Sequence, residues 1–74
     1  MLSEDRVNQE QRLFLMFKQA IDDERRAQET YKEAMGITED RILVEVFQSL
    51  YDDEVRHEQE LVRRYEGFKA RLGS

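Results

Sequence analysis

Two stretches of helical periodicity, parted by one short break, limit what this chain can become. The first runs unbroken to Met35, and the second from near Glu39 to at least Arg64. Between them stands Gly36-Ile37-Thr38. Proline is absent, and glycine occurs only at positions 36, 67 and 73, so little else can stop a helix. Gly36 is a C-cap signal, and Ile37 just past it can make the usual closing hydrophobic contact. Thr38 is expected as the next N-cap, with Glu39 and Asp40 in the first turn, where acids suit the helix dipole. Ser3 is expected to cap the first helix in the same way, followed by Glu4 and Asp5. Two long helices joined by about three residues must lie antiparallel. The predicted architecture is therefore all-α: one domain over residues 1–74, with helix one about 4–35, the turn 36–38, helix two about 39–66 and a short C-terminal segment 67–74.

Each helix carries an apolar stripe interrupted by charge. With Glu24 as zero and about 100° per residue, Leu13, Phe17, Ala20, Tyr31 and Met35 fall within about 40° of it. Ile21 and Ala27 fall within about 60°. Lys18, Asp22, Arg25, Glu29, Lys32 and Glu33 take the outer face. Leu15 points about 180° away and is expected at a contact between dimers. On helix two, Leu43, Phe47, Leu50, Leu61 and Tyr65 lie within about 40° of Glu54. His57 lies at about 60° on one side, Tyr51 at about 60° on the other, and Glu58 near 40°. Glu54 and His57, three apart, share one face about a turn apart. Charge on an apolar stripe is costly unless something pairs with it, and a metal ion is one such partner. Glu-x-x-His on a helix is how di-iron carboxylate bundles hold metal in their cores.

The totals narrow the function classes. A net charge of −5 leaves no basic stripe to neutralise phosphates, so nucleic acid is not expected as a partner. The longest apolar run, Leu13 to Phe17, is far too short for a bilayer, so no membrane partner is expected. No secretory signal is visible at the N-terminus, and a cytoplasmic address is the default expectation. Without cysteine there is neither a disulfide nor a thiolate metal site. A chain of 74 residues needs a staple, and the choices left are oligomerisation and a His/carboxylate metal site.

Glu24 lies 12 residues before Gly36, about 18 Å along helix one, and Glu54 lies 16 residues after Thr38, about 24 Å along helix two. That leaves about 6 Å of mismatch, which the lean of side chains toward their own N-termini largely removes. One hairpin thus offers Glu24, Glu54 and His57 at one height. A lone hairpin would leave its stripe in water, so two hairpins packed stripe to stripe are expected to form a four-helix bundle. The two-fold then doubles the ligands to four Glu and two His, the count of a di-metal carboxylate site. Hard carboxylate oxygens with one imidazole each suit non-haem iron, or manganese.

Glu24-x-x-Ala27-x-x-x-Tyr31 on helix one and Asp53-Glu54-x-x-His57 on helix two resemble the ferritin-like superfamily. Rubrerythrins and bacterioferritins carry this pattern twice, and this chain carries it once. With 30 residues from Glu24 to Glu54 and so short a turn, it is most similar to the encapsulated ferritins, two-helix half-ferritins whose ferroxidase centre forms across a dimer interface. The likeness covers roughly residues 10 to 65. It implies a ferroxidase that oxidises Fe(II) with O₂ or peroxide for iron storage or detoxification, with two irons per homodimer and Glu24, Glu54 and His57 as metal ligands. Tyr31 and Glu58 are expected beside those ligands. It also implies dimers assembled into a ring and an encapsulin shell as partner, which would place the protein inside a nanocompartment. The sequence departs from the family in two places. Of the acidic entry cluster beside the first ligand Glu, Asp23 remains but Arg26 replaces another acid, and no shell-docking tail is recognisable up to Ser74.

Two other functions fit the same residues. A non-catalytic helical oligomerisation module would use the Glu/His set only to fix register. A rubrerythrin-like peroxidase domain would share the site but need an electron donor.

Overall fold

The computed structural model describes residues 2–73, with side chains from Val7 to Gly73. The roles expected of Ser3, Glu4 and Asp5 fall on side chains outside those described. The described residues form two α-helices: α1, Leu2–Ile37, and α2, Arg41–Gly73. They pack side by side and antiparallel, with Phe14 against Phe68 at one end and Tyr31 against Phe47 toward the turn. The hairpin measures 59 × 17 × 11 Å. Neither helix is long and apolar enough to cross a membrane among the described residues.

The turn differs from the sequence expectation by about two residues. No glycine has a positive φ, so Gly36 is not a left-handed C-cap. The helix runs on through Gly36 and Ile37, and the Thr38 amide still donates to the Ala34 carbonyl at 3.1 Å. Thr38 is not the N-cap of α2. Its Oγ1 accepts from the Asp40 amide at 3.1 Å inside the link, and Asp40 does the capping. Asp40 Oδ1 accepts from the Ile42 amide at 2.8 Å, and the Asp40 carbonyl accepts the first α2 hydrogen bond from Val44 at 3.0 Å. A carboxylate caps more strongly than a threonine hydroxyl, which explains the later start. At the other end, Gly67 does not stop α2, which continues to Gly73. A single glycine costs a helix only about 1 kcal/mol, and Phe68, one residue on, packs on Phe14 and Phe17 at 4.8 and 5.7 Å between centroids.

Each helix buries only one flank of its stripe in its partner. Phe14, Phe17, Ile21 and Tyr31 lie on the covered flank of α1, and Phe47, Tyr65 and Phe68 meet them from α2. Ile21 alone among the described apolar side chains is buried, at 8 % exposed. The other flank stays open and carries Leu13 and Met16 on α1 and Leu43, Val46 and Leu50 on α2. Leu15, on the far side of α1, is also exposed. The chain exposes 6239 Å², whereas a compact protein of this mass exposes about 4,900 Å². Its radius of gyration is 17.2 Å, against about 11 Å for a compact fold of the same length.

Candidate metal centre

Helix continuation settles the axial level of the site. Glu24 stands 13 residues before the end of α1, and Glu54 stands 13 after the start of α2. Both therefore lie about 20 Å from the turn, and the mismatch expected from a turn at 36–38 disappears. Glu24, Glu54 and His57 come together, with one donor atom from each within 4.8 Å of the others. His57 Nδ1 lies 3.7 Å from Glu24 Oε2 and 3.7 Å from Glu54 Oε2. At that distance the imidazole faces both carboxylates without a hydrogen bond to either.

Burial across the cluster is uneven. The side chains of Glu24 and Glu54 are 24 % and 20 % exposed, and that of His57 is 62 % exposed. His57 is on the open flank of α2, the flank that carries Leu50 and Val46. Glu24 Oε2 is the buried side-chain oxygen left without a hydrogen-bond partner among the described residues. A buried carboxyl oxygen with no hydrogen bond is unfavourable by more than 1 kcal/mol in order of magnitude, and the His57 imidazole at 3.7 Å is too far to supply one. A cation between the three groups would remove that penalty, so this donor set fits a metal ion. Two carboxylates and one imidazole are the ligand types of non-haem iron and manganese.

Glu58, expected next to the ligands, turns its carboxylate to Gln28 and Arg25 on α1. Gln28 Nε2 donates to its Oε1 at 2.7 Å, and Arg25 Nε donates to its Oε2 at 3.1 Å. The Gln28 hydrogen bond holds the Glu58 carboxyl below its ordinary pKa; partial burial opposes that shift and Arg25 reinforces it. Gln28 Nε2 also reaches the Glu54 carbonyl at 3.4 Å. Tyr31 stacks on Phe47 with centroids 6.2 Å apart, toward the turn. The acids next to Glu24 and Glu54 in sequence are paired within their own helices, Asp23 with Arg26 and Asp53 with Arg56. Gln28 is not among the residues expected at the site, and Arg25, expected on the outer face, reaches across to Glu58. The signal for Gln28 was available: it is a polar residue on the apolar stripe, about 40° from Glu24 and one turn on.

Fold and site together define a two-helix hairpin with a Glu/Glu/His donor cluster at mid-length on its apolar face. Comparison with protein-family models, curated proteins and solved structures finds no match.

Proposed function

We propose that two copies pack open flank to open flank, and that Glu24, Glu54 and His57 of both hold a pair of iron ions that are oxidised from Fe(II) to Fe(III). The observation that carries this reading is the orphaned, buried Glu24 Oε2 beside Glu54 and His57. One chain supplies three donors and leaves its imidazole on the open side, a weak site alone. Two copies supply four carboxylates and two imidazoles, enough for two irons. The exposed area supports the pairing: the excess over a compact chain is about 1,300 Å², about one partner's share of a permanent interface. The result is a ferritin-like four-helix bundle in which metal binding and dimerisation reinforce each other.

An iron pair held by Glu24, Glu54 and His57 of two copies would supply the redox chemistry, the oxidation of two Fe(II) to two Fe(III) balanced by reduction of one O₂ with two protons to hydrogen peroxide. The chain's part is to hold and to bury. Glu24 and Glu54 are hard oxygen ligands whose negative charge favours the more highly charged Fe(III) product. The imidazole of His57 adds a nitrogen donor on the flank that meets the second copy, and Leu13, Leu43 and Leu50 close that flank against water. Two helices enclose no cage, so stored Fe(III) would pass to a shell of the encapsulin kind, a step that rests on the family resemblance alone.

An anaerobic Fe(II) titration with oligomer mass followed alongside tests the reading. Saturation near one iron per chain, with the dimer strengthening, is expected. On admitting air, His57→Ala should oxidise iron far more slowly than the wild type, and oxidation at the wild-type rate overturns the proposal. His57 at 3.7 Å from two carboxylates also fits a structural ion pair. An oligomer indifferent to iron and to chelator would identify the chain as an oligomerisation module instead.

A further inference from the structure

Two residues on α1 and one on α2 form a polar bracket beside the donor cluster. Glu58 spends both carboxylate oxygens on α1, one on Gln28 and one on Arg25. Gln28 also touches the Glu54 carbonyl. The bracket residues adjoin the candidate ligands in sequence on both helices. Arg25 follows Glu24, Gln28 lies one turn beyond it, and Glu58 follows His57. Glu58 and Gln28 lie on the covered flank of the stripe, opposite the flank that carries His57.

This arrangement constrains how α1 and α2 can slide and turn against each other. A one-residue slip of α2 shifts its side chains by about 1.5 Å and rotates them by about 100°. Such a slip would take Glu58 out of reach of Gln28 and Arg25, and would carry Glu54 and His57 away from Glu24. The aromatic pairs at either end tolerate more: ring packing has a broad geometric optimum. A hydrogen bond between a carboxylate and an amide is held within a few tenths of an ångström.

We propose that Gln28, Glu58 and Arg25 are positioning residues for the metal centre: their bracket sets the axial and rotational register that brings Glu24 to Glu54 and His57. This inference rests on the metal-site reading above. Residues that orient metal ligands typically carry about ten- to a hundredfold in metal affinity, so the bracket should be visible in binding and not only in stability.

Cobalt(II) is the probe, because its visible absorption reports the number and geometry of its ligands. The full chain is titrated with Co(II) as wild type, Gln28→Met, Glu58→Gln and the exchanged pair Gln28→Glu/Glu58→Gln. Gln28→Met keeps the side-chain length and removes the amide. It should weaken Co(II) binding about tenfold or more and alter the absorption band, with helix content and oligomer mass unchanged. The exchanged pair rebuilds a carboxylate–amide hydrogen bond in the reverse sense and should recover most of the affinity and the wild-type band. A Gln28→Met protein with wild-type affinity and band, whatever its melting temperature, overturns the positioning role. Should Gln28→Met lose helix content, Glu58→Gln decides by the same two readings. Absence of Co(II) binding by the wild type would overturn both this inference and the metal-site reading. Binding by the wild type with indifferent variants overturns this one alone.

Discussion

Glu58 shows how one side chain can be placed by its neighbours more than by its own position on the stripe. Its carboxyl is held below the ordinary value, first by the Gln28 hydrogen bond and then by Arg25. A lowered folded-state pKa means that the stabilisation is complete above the unfolded value, 4.5, and is lost as pH falls through the lower folded value. Glu58→Gln should therefore melt lower than the wild type at pH 7, by on the order of 1 kcal/mol. That difference should shrink as pH falls below 4.5 and through the lower folded value, where Glu58 itself becomes neutral. Melting curves of both proteins from pH 7 to pH 3.5 check this, and a gap that stays constant with pH would sink it. Glu60 is shifted the same way by Arg64 and Arg63 but remains in both proteins, so it cancels in the comparison.

The helices themselves owe their limits to a few local choices. Asp40 holds the start of α2 through the Ile42 amide, so Asp40→Ala should cost about 1 kcal/mol. In a protein of this size that lowers the melting temperature by about 4–8 °C. Gly67 offers the opposite test. It sits inside α2 without a positive φ, and a Cβ added there meets nothing within 4 Å. Gly67→Ala should therefore stabilise the helix by about 0.5–1 kcal/mol. Thermal melts at one protein concentration measure both signs, and a destabilised Gly67→Ala would mean that another chain approaches this face closely.

The whole molecule is a thin hairpin with an open apolar flank, and a hairpin of two helices has almost no interior of its own. Stability and assembly should accordingly be one property: the melting temperature should rise with protein concentration. Val46, 46 % exposed on the open flank, is far from the donor atoms in sequence. Val46→Glu should shift the mass toward the monomer and lower helix content at low micromolar concentration, because it buries an unpaired carboxylate in the proposed interface. Sedimentation of the variant beside the wild type reads this directly; an unchanged mass would place the contact between copies on another face.

Periodicity, the lack of proline and the single break determined two antiparallel helices, because helical spacing is a local property that a sequence states outright. The same spacing placed Glu24, Glu54 and His57 on the stripes, and they do meet. Capping was less legible. Whether Thr38 or Asp40 begins α2, and whether Gly36 or Gly67 ends a helix, depends on energies of about 1 kcal/mol that packing overrides. Only the tertiary structure decided that Glu58 turns to Gln28 and Arg25, and that Glu24 Oε2 is buried without a donor. Those facts depend on the rotation of one helix against the other, which no periodicity within a single helix specifies.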